Sequence, residues 1–337
     1  MRAASTLAAL ALIAALPGST IAPDLRDVLS RDLKFGAADL ADLERGRIVK
    51  RGLDATAPGE VAVVGAARIG ARAAAFVDRV RGIEEFKRGP DVIQIGRFST
   101  PPRLEDLDGL TVGRDDVDLR RCRVGSCDIR LSADLIRRFQ REIDWRLPDA
   151  DARAAALFKR VLVENVRAYV SGGPGRITEY DDEKRIVRPL EDFDALLKSS
   201  SYVGALVHDL PAHLRDPAAA PLPHAEEFVY WSKEKFGLTP FITATHVVIG
   251  RAPSGAYVIA SRDVYSSRYV DASLSYTIAA PAVGAPDAFY LVYANRSRAA
   301  ALKGAFGGLR RSIVERRARN SIDENLRSTK ARLENSR

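Results

Sequence analysis

Histidine is the residue type in this sequence best suited to acid–base or metal chemistry, and three of the four histidines lie in one proline-rich stretch. His208, His213 and His224 stand there beside several acidic residues. Zinc binds such ligands, but a catalytic zinc site usually takes two of them from one helix, about four residues apart. His208 and His213 are five residues apart, and prolines interrupt the stretch. We therefore expect solvated loop residues here and no metal site.

His246 has a different setting. It alternates with Ile242, Ala244 and Val248 along one face of an expected strand. A histidine on such a face points at a core or a cavity, and its ring nitrogens need partners when they are buried. Structural hydrogen bonding, contact with a bound ligand and proton transfer are the roles open to it, in that order of preference.

Three arginines are candidates for holding a carboxylate or phosphate group. Arg262 shares an expected strand face with apolar residues, Arg268 follows the short Ser266-Ser267 connection, and Arg97 lies on an early strand. A guanidinium directed inward would hold an anionic group through paired hydrogen bonds. The more ordinary alternative is that each arginine lies at a strand end and extends into solvent.

Tyrosines are concentrated near the end of the chain. Six of the ten fall within the last strands: Tyr257, Tyr265, Tyr269, Tyr276, Tyr290 and Tyr293. Tyrosine combines a large apolar surface with one polar group, which suits a pocket for a lipid or an aromatic molecule. Aromatic residues also favour strands and fill cores, which is the alternative. If a ligand site exists, we expect Tyr257 and Tyr276 to line it together with His246 and the three arginines.

Motifs of the common enzyme classes are incomplete. The Ser232-x-x-Lys235 tetrad lacks a Lys-Thr-Gly companion, and Gly65 and Gly70 have phosphate-loop spacing without the Lys-Ser/Thr that should follow. G-x-S-x-G and H-E-x-x-H do not occur. The sequence therefore predicts no catalytic residue and no cofactor. An enzyme of unknown class that uses His246 with nearby tyrosines is an alternative.

Cys122 and Cys127 are the only cysteines, and they flank a Val-Gly-Ser turn. In an oxidising compartment a pair this close predicts a local disulfide. A redox motif would have two intervening residues, and a zinc site would need two further ligands. Those alternatives and free thiols are less favoured.

The first 22 residues have the layout of a secretory signal peptide. Arg2 supplies a positive charge, an unbroken run of Ala, Leu and Ile extends from Leu7 to Leu16, and Thr20 and Ala22 provide small residues for cleavage. The run is about half of the ~20 residues that a membrane-spanning helix needs. We expect a periplasmic or secreted protein, after cleavage near Ala22.

Composition agrees with a folded, exported chain. Hydrophobic residues make up 46%, which argues against disorder. The formal charge of +8 is carried mainly by arginine in an alanine-rich chain, a usage typical of GC-rich coding, so we expect no nucleic-acid partner. The segment from Leu309 to Arg337 holds nine basic and four acidic residues. Such a helix binds an anionic membrane surface or simply presents a solvated charged face.

The pattern of apolar residues predicts three regions after the signal peptide. Residues 23–98 have two short helices, strands at Arg47–Arg51, Val61–Ile69 and Val92–Phe98, and a helix at Ala71–Arg81. Residues 99–237 are mostly helical, with helices after Ser132, at Ala154–Val170, Leu190–Leu197 and Glu226–Phe236, and a loop at Pro211–Pro223. Residues 238–337 have strands at Phe241–Ile249, Tyr257–Tyr265, Arg268–Ile278 and Phe289–Tyr293, then a helix over Ser297–Leu333. Short connections between these strands predict an antiparallel meander.

This order of elements resembles the helix-grip architecture of START-like and polyketide-cyclase-like proteins. The resemblance covers Val61–Phe98 and Phe241–Leu333, with residues 99–237 as a large insertion. It implies an α+β fold in which an antiparallel sheet wraps a long C-terminal helix and leaves an apolar cavity. The function it implies is non-catalytic binding of an apolar or lipid-like molecule. An envelope protein that uses the central helical region as a docking surface is the main alternative.

Overall fold

The computed structural model describes residues 19–235, 239–303 and 307–335, and these form an α+β fold. The helices are α1 (Pro23–Asp27), continued by a π-helical turn at Val28–Asp32, α2 (Ala37–Glu44), α3 (Ala73–Arg81), α4 (Ile83–Phe86), α5 (Ala133–Glu142), α6 (Ala150–Gly172), α7 (Pro189–Lys198), α8 (Leu210–Arg215) and α9 (Gly307–Glu334). The strands are β1 (Val49–Gly52), β2 (Glu60–Ile69), β3 (Val92–Arg97), β4 (Glu226–Glu234), β5 (Phe241–Arg251), β6 (Tyr257–Ser266), β7 (Ala272–Ala282) and β8 (Ala285–Arg298).

All eight strands belong to one sheet, in the order β1-β2-β8-β7-β6-β5-β4-β3. Every neighbouring pair is antiparallel. The four late strands expected from the sequence are β5 to β8, and their meander is confirmed. β8, the last strand along the chain, pairs with β2, the second strand, so residues far apart in the sequence are adjacent in the sheet.

β4 corrects a prediction, because Glu226–Phe236 was expected to be helical and Glu226–Glu234 is a strand. Its apolar run has no alternation to reveal a strand, since both faces are covered. Phe228 and Tyr230 pack on one side of the sheet, whereas Val229 and Trp231 pack on the other. A short continuous apolar run is typical of such doubly buried strands and is easily mistaken for a helix.

Two layers of helices cover the sheet. We call the side that carries Val229 and Trp231 the α6 face; α1, α2 and the helices α6 to α8 pack there. We call the opposite side the α9 face; α3, α4 and α9 pack there. The middle strands therefore lie between two layers, and each can present polar side chains to either one.

α9 lies directly on β2 and β1, so the predicted packing of the C-terminal helix on the sheet is confirmed. Gly65 makes the close approach possible, since a Cβ at this position would lie 2.3 Å from Ile322 Cγ2 and 2.9 Å from Leu326 Cδ1. Lys330 Nζ donates to the Arg68 carbonyl oxygen at 2.6 Å. The C-terminal half of α9 is thus held tightly along β2.

The segment between β3 and β4, residues 98–225, is fixed to the α6 face by buried ion pairs. Arg130 bonds Asp271, outside the segment, at 2.7 Å and Asp182, within the segment, at 2.5 Å. Lys233 of β4 bonds Asp116 of this segment at 2.7 Å. We call residues 98–225 the β3–β4 segment.

The disulfide predicted within the β3–β4 segment is confirmed: Cys122 and Cys127 are bonded, with their Cα atoms 4.3 Å apart. The Ser132 hydroxyl caps α5 as expected, by accepting a hydrogen bond from the Leu135 amide. The expected loop at Pro211–Pro223 is partly wrong, because its first residues belong to α8.

Most of the expected signal peptide, residues 1–18, lies outside the described residues. The expected cleavage position does not. Ile21 is buried in the core beneath the α6 face, and the Thr20 carbonyl accepts a hydrogen bond from the Val283 amide at 2.9 Å. Among the helices that the structure describes, none has the length and apolarity needed to span a membrane.

Candidate functional site

His246 is the centre of a buried polar cluster on the α6 face, which we call the Glu227 cluster (Glu227, His213, His246, Tyr169 and Arg262). The His246 Nε2 atom lies 3.0 Å from Glu227 Oε2, and its Nδ1 atom lies 2.8 Å from the Tyr169 hydroxyl. Because a carboxylate can only accept, Nε2 carries the proton and Nδ1 accepts from Tyr169. Both ring nitrogens therefore have protein partners.

His213 bonds the other oxygen of the same carboxylate. Its Nε2 lies 2.9 Å from Glu227 Oε1, and its Nδ1 lies 2.9 Å from the Ala220 carbonyl oxygen. Both partners are acceptors, so each ring nitrogen is positioned to donate. The expectation that His213 is a solvated loop residue is wrong. The sequence places it far from His246, and the helical turn of α8 brings it beneath β4.

Arg262 is directly opposite His246 in the β5–β6 register. Only 1% of it is exposed, so the expectation of an outward strand-end arginine is wrong. Its guanidinium carbon lies 3.4 Å from the centre of the Phe193 ring, and Nη1 donates to the Leu214 carbonyl oxygen at 3.3 Å. Its Nε and Nη2 atoms have no hydrogen-bond partner among the described residues. Burial lowers the pKa of this guanidinium.

The electrostatics of the Glu227 cluster favour a fixed hydrogen-bond chain. Burial acts to raise the pKa of Glu227, but His246 and then His213 outweigh it, and the pKa is lowered. Burial raises the pKa of Tyr169 to about 12. The carboxylate is therefore ionised and the phenol neutral at ordinary pH. Glu227, with 35% of its side chain exposed, is the member most open to solvent.

The Glu227 cluster connects the sheet to the helices of the α6 face. It links β4 and β5 to α6 and α8, and the ring nitrogens of both histidines are bonded within the protein, whereas Arg262 Nε and Nη2 have no hydrogen-bond partner among the described residues. A general acid or base must reach its substrate by a hydrogen bond. Both ring nitrogens of His246 bond protein groups in this structure, Nε2 to Glu227 and Nδ1 to Tyr169.

A second polar cluster lies on the α9 face, and we call it the Lys87 cluster (Lys87, Tyr230, Glu234, Thr245 and Asp263). Lys87, just after α4, donates to Glu234 Oε1 at 2.6 Å and to the Tyr230 hydroxyl at 3.3 Å. The Thr245 hydroxyl donates to Asp263 Oδ1 at 3.0 Å. Burial raises the pKa of Asp263 to about 6, against the opposing effects of Thr245 and Lys87.

Beside the Lys87 cluster, the middle of the α9 face is polar and only half-buried. Strand register places Thr277 and Tyr293 in one row with Gly65, the residue beneath α9. Ser275 and Asn295 form the next row. The half-buried polar residues of this surface are Ser261, Asp263, Ser273, Thr277, Tyr293, Asn295 and Ser297. We call them the polar floor.

The polar floor is unusual for the centre of a sheet, whose middle strands are normally the best covered. The helices leave it partly open because α9 packs chiefly on β2 and β1, whereas α3 and α4 pack nearer β7 and β3. Partly buried apolar residues border the same core: Ile48, Phe86, Ile95, Tyr257, Leu302 and Ala318. The α9 face thus carries both a half-buried polar surface and partly buried apolar side chains.

The six residues expected to line one ligand site are divided between the two faces. His246 and Arg262 meet on the α6 face. Tyr276 lies on that face too, packed edge-on against Tyr202. Arg268 lies in the β6–β7 loop and donates to the Asp116 carbonyl oxygen.

The other two expected site residues lie on the α9 face. Arg97 lies over the Phe228 ring, 4.2 Å from its centre. Tyr257 packs against the α9-face core, and the guanidinium of Arg251 lies 5.5 Å from the centre of its ring. The six residues therefore do not form one site.

Lys87, Glu234 and Asp263 were not expected from the sequence to be site residues. Asp263 follows Arg262 directly on a strand, so alternation alone places these two charged residues on opposite faces. This pattern could have been recognised in the sequence, because charged residues that point to opposite faces of a central strand each need a polar environment. Nothing in the sequence pattern indicated Lys87 as a site residue, because only the turn after α4 brings it over β4.

Two partly open hollows among the described residues are small. One of about 90 Å³ is bordered by charged residues, including Arg185, Glu191 and Lys303, and another of about 10 Å³ lies beside Trp145. Ligand pockets are typically about 300–1,000 Å³ and mostly apolar. Neither hollow fits a lipid-like molecule, and the open polar floor is the better candidate site.

No protein-family model, no curated protein and no solved structure matches this chain. Evidence on its function therefore comes from its own contacts.

Proposed function

We propose that this chain is an exported, non-catalytic protein that binds a small amphipathic, lipid-like molecule over the polar floor. The observation that carries the proposal is the half-buried row of Thr277 and Tyr293, together with Asp263, at the centre of the sheet. Such side chains would be replaced by apolar ones if the helices simply closed over the sheet. A groove that receives a ligand explains why they are retained.

The order of elements supports a helix-grip fold for this groove. α3 and α4 lie between β2 and β3, β8 returns to the side of β2, and α9 follows β8. This is the element order that the START-like resemblance requires, with the β3–β4 segment as the insertion and β1 as an added edge strand. In that family the ligand lies between the sheet and the C-terminal helix.

The ligand would lie beside α9 rather than beneath it. Ile322 and Leu326 rest on Gly65 and leave no space there. The groove instead extends across β8, β7 and β6, from α9 toward α3 and α4. Phe86, Leu302 and Ala318 at its margin offer apolar contacts to a hydrocarbon portion.

The polar floor also suggests the chemistry of the ligand's polar group. Lys87 is already paired with Glu234, so it has little capacity for an added anion. Asp263, Tyr293 and the neighbouring hydroxyls offer hydrogen-bond acceptors and donors. A hydroxyl or amine group fits this set better than a carboxylate or phosphate does.

Native mass spectrometry and organic extraction of the protein, expressed with its leader and purified from the exported fraction, test the proposal. We expect a co-purifying amphipathic molecule at a fixed ratio. Thr277→Trp, which would fill the groove, should abolish co-purification. Ser171→Trp, on an exposed position at the end of α6, is the matched control and should retain it. A wild-type protein without ligand, or a folded Thr277→Trp variant with unchanged ligand content, would overturn the proposal.

A further inference from the structure

α9 changes character along its length. In its C-terminal half Ile322, Leu326 and Leu333 are buried. In its N-terminal half Leu309, Ile313 and Val314 are 66%, 37% and 41% exposed. Leu309 and Ile313 are one helical turn apart and therefore form an exposed apolar pair on one side of the helix.

The helical repeat places basic residues on the same side. At 3.6 residues per turn, Leu309, Ile313 and Arg316 follow one line along the helix, and Arg310 and Arg317 lie next to it. Both Arg316 and Arg317 are exposed. We call Leu309, Arg310, Ile313, Arg316 and Arg317 the α9 outer stripe.

The charge of the stripe is largely uncompensated. Between positions 309 and 319 there are five arginines and one glutamate. That glutamate, Glu315, lies 4.0 Å from Arg319. Arg316 and Arg317 form no ion pair with any residue that the structure describes. The α9 outer stripe thus combines exposed aliphatic side chains with free guanidinium groups.

We propose that the α9 outer stripe binds the surface of an anionic lipid bilayer. Aliphatic side chains of a surface helix insert beneath the lipid headgroups, while flanking arginines bond the phosphates and remain at the interface. Charge complementarity selects anionic over neutral lipid, and each basic residue near such a surface adds roughly 1 kcal/mol of attraction, equivalent to about fivefold in binding. This inference does not depend on a ligand in the groove.

Flotation with vesicles tests the inference on the full processed protein. We expect at least about tenfold more binding to vesicles that contain phosphatidylglycerol than to vesicles of phosphatidylcholine alone. Added salt should weaken that binding. Leu309→Ser with Ile313→Ser, and separately Arg316→Gln with Arg317→Gln, should each reduce binding about tenfold.

A charge-matched control separates the stripe from the overall basicity of the chain. Arg137→Gln with Arg146→Gln removes the same charge from the β3–β4 segment and should bind as the wild type does. Equal binding to neutral and anionic vesicles, or wild-type binding by the folded stripe variants, would overturn the inference. A third outcome would also overturn it: a wild-type protein that is a dimer and does not bind vesicles, and whose dimer dissociates when Leu309→Ser and Ile313→Ser are introduced. The stripe would then be an interface with a second copy of the chain.

Discussion

The carboxyl group of Asp263 offers a sharp test of the polar floor, because its ionisation is coupled to folding. Burial raises its pKa from 3.8 to about 6 in the folded protein, and unfolding returns it to the ordinary value. The folded state therefore binds the proton more tightly, and this group's contribution to stability falls as pH rises from about 4 through 6. About two pKa units correspond to about 3 kcal/mol, lost once Asp263 is ionised.

Asp263→Asn removes this cost and keeps an oxygen that can accept from the Thr245 hydroxyl. We expect the variant to be about 2–3 kcal/mol more stable than the wild type at pH 8 and nearly equal to it at pH 4. Urea denaturation of the ligand-free protein, followed by circular dichroism across that pH range, measures the difference. A difference that does not vary with pH would refute the reasoning.

Asp271 is the matched comparison. Burial raises the pKa of its carboxyl to about 6 as well, but this carboxylate bonds Arg130 at 2.7 Å. Because this pKa is raised even with Arg130 beside the carboxylate, the ionised form of Asp271 is also disfavoured in the folded protein, and Asp271→Asn should likewise gain stability relative to the wild type as pH rises from about 4 to 8. Arg130 loses one carboxylate partner in this variant, so we expect the gain to be smaller than for Asp263→Asn, and a larger gain would contradict the reasoning.

Two further predictions concern α9 and the α6 face. Gly65→Ala should lower the free energy of unfolding by about 1–3 kcal/mol because it pushes α9 from β2, and Ile322→Ala should lower it by about 2–4 kcal/mol. In the double variant the loss should be smaller than the sum of the two single losses. Additive shifts of the denaturation midpoint would mean that the two residues do not touch. Arg262→Met should leave stability unchanged or raise it by about 1–4 kcal/mol, because two guanidinium nitrogens lack partners. A large loss in urea denaturation would show that this arginine has a partner in solution.

Much of the fold was predictable because its elements carry clear periodicity. The strands of the late meander alternate in polarity, and the expected helices within the β3–β4 segment, after Ser132 and at Leu190–Leu197, have apolar residues at helical spacing. β4 was not predictable in this way, since Phe228 to Trp231 are apolar toward both layers. Periodicity also could not predict the strand order, because the pairing of β2 with β8 joins residues more than 200 positions apart.

The candidate sites were less predictable than the fold. The alternation of residues correctly placed His246 on an inward face, whereas Arg262 was expected to extend outward, and the adjacency of the two follows from the register between β5 and β6. Asp263 and Tyr293 lie on one surface only when three strands, β6, β7 and β8, are paired. Partial exposure of that surface depends on where α9 lies, and residue types do not determine that position.

The buried ion pairs of the β3–β4 segment also affect how the protein unfolds. Excising this segment would leave Lys233 and Asp271 without Asp116 and Arg130, and would bring Trp231 and Ile242 into contact with water. Uncompensated charge at those positions would cost several kcal/mol, comparable with the whole stability of an ordinary domain. Sheet and segment should therefore melt in a single cooperative transition, and a protease should release no stable fragment of either one.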